Sequence, residues 1–293
     1  MKSTSVVDMK SSVTTGSIDI KSSSAEVVRY FAQFIERELG IVYSDSNYFQ
    51  LNSRLQDIAK QKKLASVDEL HRMAQASMTS DLKQLILDVA TNNETSFFRD
   101  TKLFDAVRDH LIPEVFKLER PIRIWSAACS TGQEPYSLAM ILREHRSNTQ
   151  SMRDFSILAT DISTRALDKA KAARYSKFEV ERGVTPSLLS KYFDQNKEDG
   201  WTVRSNIRSL VGFDHVNLLD SFERLGRFDV ILCRNVLIYQ SVENKRLILR
   251  KIADRMEDGA YLLLGAGESM IGLSNDFTAV NHGGTIMYQL KKR

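Results

Sequence analysis

Cysteine is scarce in this chain, which holds only Cys129 and Cys233. Two thiols cannot build a disulfide framework, and neither sits in a C-x-x-C pair, so a reducing, cytoplasmic setting is expected. Histidine is thin too: His71, His110, His145, His215 and His282 are scattered without ligand spacing, which leaves no case for a metal site. There is no long apolar run near the start, as a secretory signal needs, and none later approaches the length of a membrane span, so direct membrane insertion is not expected. An excess of one charge sign is lacking as well. The formal net charge is +4, with basic residues mixed among acids, which implies no nucleic acid partner. What is present is apolar material, 42% of 293 residues, enough for one large domain or two modest ones.

A glycine-poor turn organises the chain. Residues 121–142 read PIRIWSAACSTGQEPYSLAMIL. Ile122, Ile124 and Trp125 suggest a short buried strand, and Ser126 to Gln133 a tight loop of small and polar residues. Tyr136, Leu138, Ala139, Ile141 and Leu142 then mark a helix with Glu134 and Pro135 in its first turn. In an open α/β sheet, a nucleotide-like ligand sits at such a turn, against the helix N-terminus. The loop lacks both the G-x-G-x-x-G of dinucleotide folds and the Gly-Lys-Ser/Thr of a P-loop. It has Gly132, no lysine, and an acid, Glu134, which repels phosphate and attracts a cationic amino group. S-adenosylmethionine, with an adenosine half and a positively charged amino-acid half, fits that description. Taken alone, Glu134 is also what a helix dipole favours.

Ahead of that turn, residues 1–22, rich in Ser, Thr and Lys, are expected to form a disordered tail. Ser23 and Glu26 have capping-box spacing, and Val27, Phe31, Phe34, Ile35 and Leu39 recur at helical intervals until Gly40. Further helices are predicted over Tyr48 to Leu64, from Ser66, and from Ser80 to Val89, so 23–90 reads as a small all-helical domain. The second of them carries Arg54, Lys60, Lys62 and Lys63, which as a charge run would ordinarily be a solvated face. TNNETSFFRD (91–100) has no regular period and opens a linker, 91–110, that joins the helical domain to an α/β one. Junctions are favoured ligand sites, although a helix cap followed by two core phenylalanines would look the same.

Beyond the central turn, FSILATD (155–161) is a second buried strand. Its terminal Asp161 is placed to accept hydrogen bonds from ribose hydroxyls, or else to cap a helix over Ile162 to Ala173. Residues from about 176 to 212 interrupt the alternation. Leu188, Leu189, Tyr192 and Phe193 suggest a short helix, and Trp201 to Val203, Ile207 to Arg208 and Leu210 to Phe213 suggest short strands of an inserted antiparallel subdomain. Val211 to Val216, FDVILC (228–233) and Tyr261 to Leu264 return to the core. A helix is predicted over Val242 to Met256, and Phe277 to Val280 with Thr285 to Gln289 should close a hairpin. Residues 111–293 are therefore expected to be α/β, a doubly wound, mostly parallel sheet with an antiparallel pair at one edge.

Five motifs in order carry a resemblance: NETSFFRD (93–100), WSAACSTGQEPYSLAM (125–140), ATDIS (159–163), YF (192–193) with FDHVNLLD (213–220), and FDVILCRNVLIY (228–239). Through them the chain, from about residue 25 to its end, resembles the CheR family of chemotaxis methyltransferases. That family transfers a methyl group from S-adenosylmethionine to glutamate side chains of chemoreceptors. The resemblance implies a class I, Rossmann-like methyltransferase fold, S-adenosyl-L-homocysteine as product, and a cytoplasmic monomer acting on the cytoplasmic domain of methyl-accepting chemotaxis receptors. It implies that Asn93, Thr95 and Arg99 reach the cofactor from the linker, with Ala127 beside it. Glu134 would hold the methionine amino group and Asp161 the ribose hydroxyls. Asn217 and Leu218 would flank the adenine, Arg234 and Asn235 would lie under the amino-acid moiety, and Tyr239 would face the transferred methyl. Arg54, Lys60, Lys62 and Lys63 would meet the acidic receptor bundle. Two departures stand out. Relatives that dock a peptide tethered at the receptor C-terminus carry a longer, glycine-containing loop after YF, whereas DQNKEDG (194–200) is short, so independence of that pentapeptide is expected. Gly265-Ala266-Gly267-Glu268 stands where the family usually has a histidine at the second position.

The implied chemistry asks for little acid–base work. A glutamate carboxylate is already ionised at pH 7, so no general base is needed. Rate then comes from alignment and the removal of water, worth on the order of 10⁵–10⁸ M in effective molarity for ideal cases. Arg99 and Tyr239 are the candidates for orienting the incoming carboxylate. Cys129, with no accompanying histidine, reads as a small packing residue. Two other readings stay open on the sequence. An S-adenosylmethionine enzyme acting on RNA or a small molecule would not require the helical domain and inserted sheet, and the chain lacks the aromatic and basic platforms that bases need. A non-catalytic, cofactor-binding receptor adaptor would have no need of Arg99 and Tyr239.

Overall fold

The computed structural model describes residues 25–196 and 200–292. The expected tail and Ser23 of the capping box lie outside them, as do Lys197, Glu198 and Asp199. Four helices open the described chain: α1 (Ala25–Leu39), α2 (Tyr48–Gln61), α3 (Val67–Ala76) and α4 (Ser80–Ala90). The starts of α3 and α4 are set by side chains that satisfy free helix amides: Ser66 accepts from Glu69 N, and Thr79 from Leu82 N. Their apolar stripes meet in one core built on Phe31, Ile35, Leu51, Leu55, Leu70 and Ile86. Burying each such side chain contributes on the order of 1.5–3 kcal/mol.

The linker is more helical than its sequence suggests. After an extended stretch come α5 (Thr101–Ala106), a π-helical turn at Val107–Leu111, and α6 (Ile112–Val115). Leu103, Phe104, Val107, Leu111 and Ile112 recur at helical spacing and are all buried.

The α/β part then runs β1 (Ile122–Ala127), α7 (Gln133–Thr149), β2 (Phe155–Asp161), α8 (Thr164–Ala172), β3 (Arg174–Ser176), α9 (Lys177–Glu181), α10 (Pro186–Tyr192), β4 (Phe193–Gln195), β5 (Gly200–Val203), α11 (Ser205–Arg208), β6 (Val211–His215), β7 (Phe228–Cys233), α12 (Val242–Ala253), β8 (Met256–Leu263), β9 (Phe277–His282) and β10 (Thr285–Leu290). The main sheet has the order β6-β2-β1-β7-β8-β10-β9. β10 runs antiparallel to both of its neighbours, while the pairings among β6, β2, β1, β7 and β8 are parallel. The central strands β1, β2 and β7 are mostly buried along their length because both faces of the sheet are covered there, whereas the edge strands β6 and β9 are largely open. Ile122 and Ile124 join one core with Leu138 and Leu142 of α7, and Trp125 and Ala127 join the other with Ile248 and Ile252 of α12. Strand order reverses between β1 and β7, which is where a doubly wound sheet opens a crevice at its carboxyl ends. Among the described residues, no helix is long and apolar enough to cross a membrane and no cluster has the makings of a metal site.

Several expectations need correction. The inserted subdomain is an antiparallel sheet, but its order is β3-β5-β4, drawing on Arg174–Ser176. Ile207 to Arg208 form no strand; they belong to α11, a single turn that buries Ile207 alone and leaves Arg208 exposed. Leu210 to Phe213 run into β6 of the main sheet. α8 begins at Thr164 because Ser163, not Asp161, caps it by accepting from Ala166 N. α12 ends at Ala253, and Met256 already belongs to β8.

Candidate functional site

The turn after β1 is held by left-handed residues, Ala128, Ser130 and Gly132, with φ of 59°, 51° and 92°. At Gly132 the conformation and the space agree: an added Cβ would stand 2.8 Å from Ala170 Cβ and 3.1 Å from the Tyr175 hydroxyl. Cys129 N donates to Thr160 O at 2.9 Å, and Tyr175, from the inserted sheet, donates its hydroxyl to Thr131 O at 2.7 Å. The linker grips the same turn, since Ser130 Oγ donates to Asn93 O at 2.8 Å. Phe97 locks the linker to the inserted sheet, its ring 4.9 Å from Tyr175 and 5.4 Å from Phe193.

Asp161 ends β2 beside this turn, only 5% exposed. Its two carboxylate oxygens accept from Ser130 N at 2.7 Å and Ser163 N at 2.9 Å. Burial raises its pKa, and those backbone amides only partly oppose the shift. The Cys129 thiol, 1% exposed, is pushed well up by burial and by the nearby Asp161 and Glu134, so it is a packing residue and no nucleophile.

One cleft brings together Asn93, Asp161, Asn217, Leu218, Asn235 and Tyr239, at the carboxyl ends of β1, β2 and β7. Leu39 and Ile41 of the helical domain form part of its wall, with Ile162, Val216 and Val236. The helical domain is fastened there by Gln240 Nε2 donating to Leu39 O (2.9 Å), Asn217 Nδ2 donating to Glu38 O (2.7 Å), and a bridge between Ile41 and Gln240. A buried carboxylate between apolar walls suits a nucleoside, with ribose hydroxyls as donors and a base between the aliphatic side chains.

The remaining expected residues do not line that cleft. Ala127 closes β1 one residue before Ala128, which does. Thr95 is half-buried in the linker. Glu134 accepts from Ser126 Oγ at 2.8 Å and from Arg234 Nη1 at 2.9 Å. Arg234, whose side chain is 2% exposed, also donates to Arg99 O at 2.9 Å and stands 3.7 Å from Asp100. It works as a strut joining β7, α7 and the linker. Arg99 Nη1 donates to Glu94 O at 2.7 Å. Tyr239, 38% exposed, accepts from Asn92 Nδ2 at 3.0 Å, a partner the sequence pattern did not single out beside Asn93.

The basic run divides, because α2 ends at Gln61 instead of Leu64 and leaves Lys62 and Lys63 in the turn beyond it, Lys63 with a left-handed φ of 59°. Lys60, Lys62 and Lys63 are exposed, with Lys60 3.9 Å from Asp57. Arg54 is turned inward, donating to Val89 O at 3.0 Å and Ala90 O at 3.2 Å, where it satisfies carbonyls at the end of α4.

Comparison with known proteins agrees with this architecture. The family model described as CheR methyltransferase, SAM binding domain, matches residues 93–285. The chain is 41% identical over 269 residues to a chemotaxis protein methyltransferase of Vibrio parahaemolyticus, covering 92% of this chain and 98% of that one. It is 40% identical over 265 residues to chemotaxis protein methyltransferase 1 of Pseudomonas aeruginosa, covering 89% and 96%. With chemotaxis protein methyltransferase Cher2 of Pseudomonas putida it shares 37% identity over 283 residues, covering 95% and 100%.

Proposed function

The chain belongs to the CheR methyltransferase family and is an S-adenosylmethionine-dependent methyltransferase; on that premise we propose that it esterifies glutamate side-chain carboxylates of methyl-accepting chemotaxis receptors. The partner is a receptor cytoplasmic domain, and the compartment is the cytoplasm. The observation that carries this reading is a single cleft with the buried Asp161 carboxylate inside it and the part-exposed Tyr239 hydroxyl on its wall. A cofactor held inside and a side chain offered from outside can meet there.

Asp161 would accept from the ribose, and Asn217 and Leu218, with Leu39 and Ile41, would enclose the adenine. Asn93, Thr95, Ala127, Glu134, Arg234 and Asn235 would surround the amino-acid end. Glu134 retains lone pairs for an ammonium group after its bonds to Ser126 and Arg234. When bound, the sulfonium cofactor supplies an activated methyl group. The protein's part is orientation and dehydration, because the incoming carboxylate carries no proton to be removed. Tyr239 offers a neutral donor to that carboxylate, and Arg99 offers the N–H groups that Glu94 O does not engage.

Lys60, Lys62 and Lys63 would meet the acidic receptor surface, and Arg54 would act by holding α4 in place. The short connection from β4 to β5 supports recognition without a tethered pentapeptide. Intact-mass measurement of a receptor cytoplasmic fragment, incubated with the protein and S-adenosylmethionine, tests the reading: stepwise methylation is expected, and an unchanged mass contradicts it. Calorimetric titration with a receptor C-terminal pentapeptide should show no heat beyond dilution.

A further inference from the structure

Glu268 sits in the loop after β8, outside the cleft lining, yet its carboxylate collects five backbone N–H groups. Oε1 accepts from Val236 N (3.0 Å), Leu237 N (2.8 Å) and Ile238 N (3.3 Å), while Oε2 accepts from Asn235 N (2.8 Å) and Gly265 N (2.7 Å). Four of the five donors are consecutive residues, 235–238, that lead from β7 to Tyr239. Successive amides pointing into one concavity form an anion-binding nest, and Asn235 opens it with a left-handed φ of 57°. In most such nests the anion is a ligand. Here the chain supplies it from a separate loop. The fit leaves no room: a Cβ on Gly265 would lie 2.6 Å from Asn235 Nδ2, 2.8 Å from Glu268 Oε2 and 2.9 Å from Asn235 N.

We propose that Glu268 is a positioning residue for methyl transfer, fixing the 235–238 turn so that the Tyr239 hydroxyl and the Asn235 backbone stay in register with the cleft. The inference rests on the reading of Tyr239 as the group that meets the substrate carboxylate. Without the carboxylate, the amides of 235–238 would turn to water and the short 3₁₀ turn at Leu237–Tyr239 would lose its anchor. Asn92 Nδ2 and Val42 N on Tyr239, with Gln240 Nε2 on Leu39 O and the bridge of Ile41 to Gln240, would then still tie the far end of this segment to the linker and the helical domain, while 235–238 would lose their shared acceptor.

The test compares the full chain with Glu268→Ala and Gly265→Ala, using hydrogen exchange and steady-state methylation of a receptor cytoplasmic fragment. Exchange in 234–240 should quicken by about tenfold or more in both variants while β1 keeps its protection, which shows that the fold is intact. kcat should fall by roughly a hundredfold for a displaced reacting geometry, with the KM for S-adenosylmethionine within about threefold of the parent. Sodium formate, a carboxylate small enough to enter the vacated nest, should restore part of both the protection and the kcat of Glu268→Ala but not of Gly265→Ala. Unchanged exchange in 234–240, or unaltered kcat with only the cofactor KM raised, would overturn the proposal. If the parent itself methylates no receptor fragment, the substrate reading has failed, and the exchange and formate measurements alone decide whether Glu268 holds the turn.

Discussion

Arg234 Nη1 stands 2.9 Å from Glu134 Oε2, pairing the residue just beyond β7 with the first turn of α7 beneath the cleft. The arginine side chain is 2% exposed and the glutamate side chain 12%. In the proposed role Glu134 would meet a cationic ligand with part of its charge already answered, and the pair ties the end of β7 to the start of α7.

Breaking that pair from one side leaves a buried charge alone. Arg234→Met should lower the free energy of unfolding by about 3–5 kcal/mol, as for other one-sided losses of buried pairs. Urea unfolding of the variant against the parent measures it; a loss below about 1 kcal/mol, the range of exposed pairs, would contradict the account.

Asp161 gives the site a pH signature. Its folded pKa lies above the ordinary 3.8, so its contribution to stability is fully present below 3.8 and lost as pH rises through the folded value. Ribose hydroxyls need the ionised form as acceptor. Affinity for S-adenosylhomocysteine should then strengthen over the same window in which the apo protein loses that stability. Asp161→Asn should weaken binding by about tenfold to a hundredfold, the value of a charge-assisted hydrogen bond, and flatten the pH dependence. Calorimetry across the acidic range checks both; a flat profile in the parent would count against the assignment.

The four basic residues of α2 and the turn that follows it should separate in their effects. Arg54→Ala removes donors to Val89 O and Ala90 O and should cost about 1.5–3 kcal/mol of stability. Reversing Lys60, Lys62 and Lys63 to glutamate should leave stability within about 0.5 kcal/mol each. The same reversals should raise the KM for a receptor fragment by about tenfold at low salt, an effect eroded as ionic strength shortens the screening length. A receptor KM indifferent to the lysines would remove α2 from the recognition surface.

Tyr239→Phe deletes one hydroxyl that accepts from Asn92 and faces solvent in part. Expected is a fall in kcat of about tenfold, in line with one neutral hydrogen bond lost, with S-adenosylhomocysteine affinity unaltered. Equal losses in both would show that the hydroxyl serves binding instead.

Much of the fold and site was legible in the residues because local chemistry and tertiary role coincide. β1, β2 and β7 are largely apolar and short, which marks buried parallel strands, and Asp161 at a strand end beside a small-residue turn lies, buried, in the cleft at the carboxyl ends of those strands. The failures share a different cause. Ile207 and Arg208 look like strand residues because one apolar side chain per turn cannot distinguish a single helical turn from an extended pair. Arg54 looks like surface charge because nothing local reveals that the end of α4 lies beside it. Glu268 is visible in the sequence only as part of a departure from the family pattern, since four of its five partners are backbone amides thirty or more positions away, and backbone donors leave no trace in side-chain identity. Asn92 and Asn93 are adjacent asparagines, and nothing local marks the first of them as the partner of Tyr239.

The central claim is that the cleft delivers a methyl group to a glutamate carboxylate of a chemoreceptor. Methyl transfer from radiolabelled S-adenosylmethionine to a receptor cytoplasmic fragment, followed by mild alkali, tests it most directly. A methyl ester is hydrolysed to methanol under those conditions, whereas methyl groups on nitrogen or carbon are not released. The account predicts label on the fragment that alkali converts to volatile methanol, strongly reduced when Asp161→Asn replaces the parent. Alkali-stable label, or none on the fragment while the cofactor still binds, would contradict it.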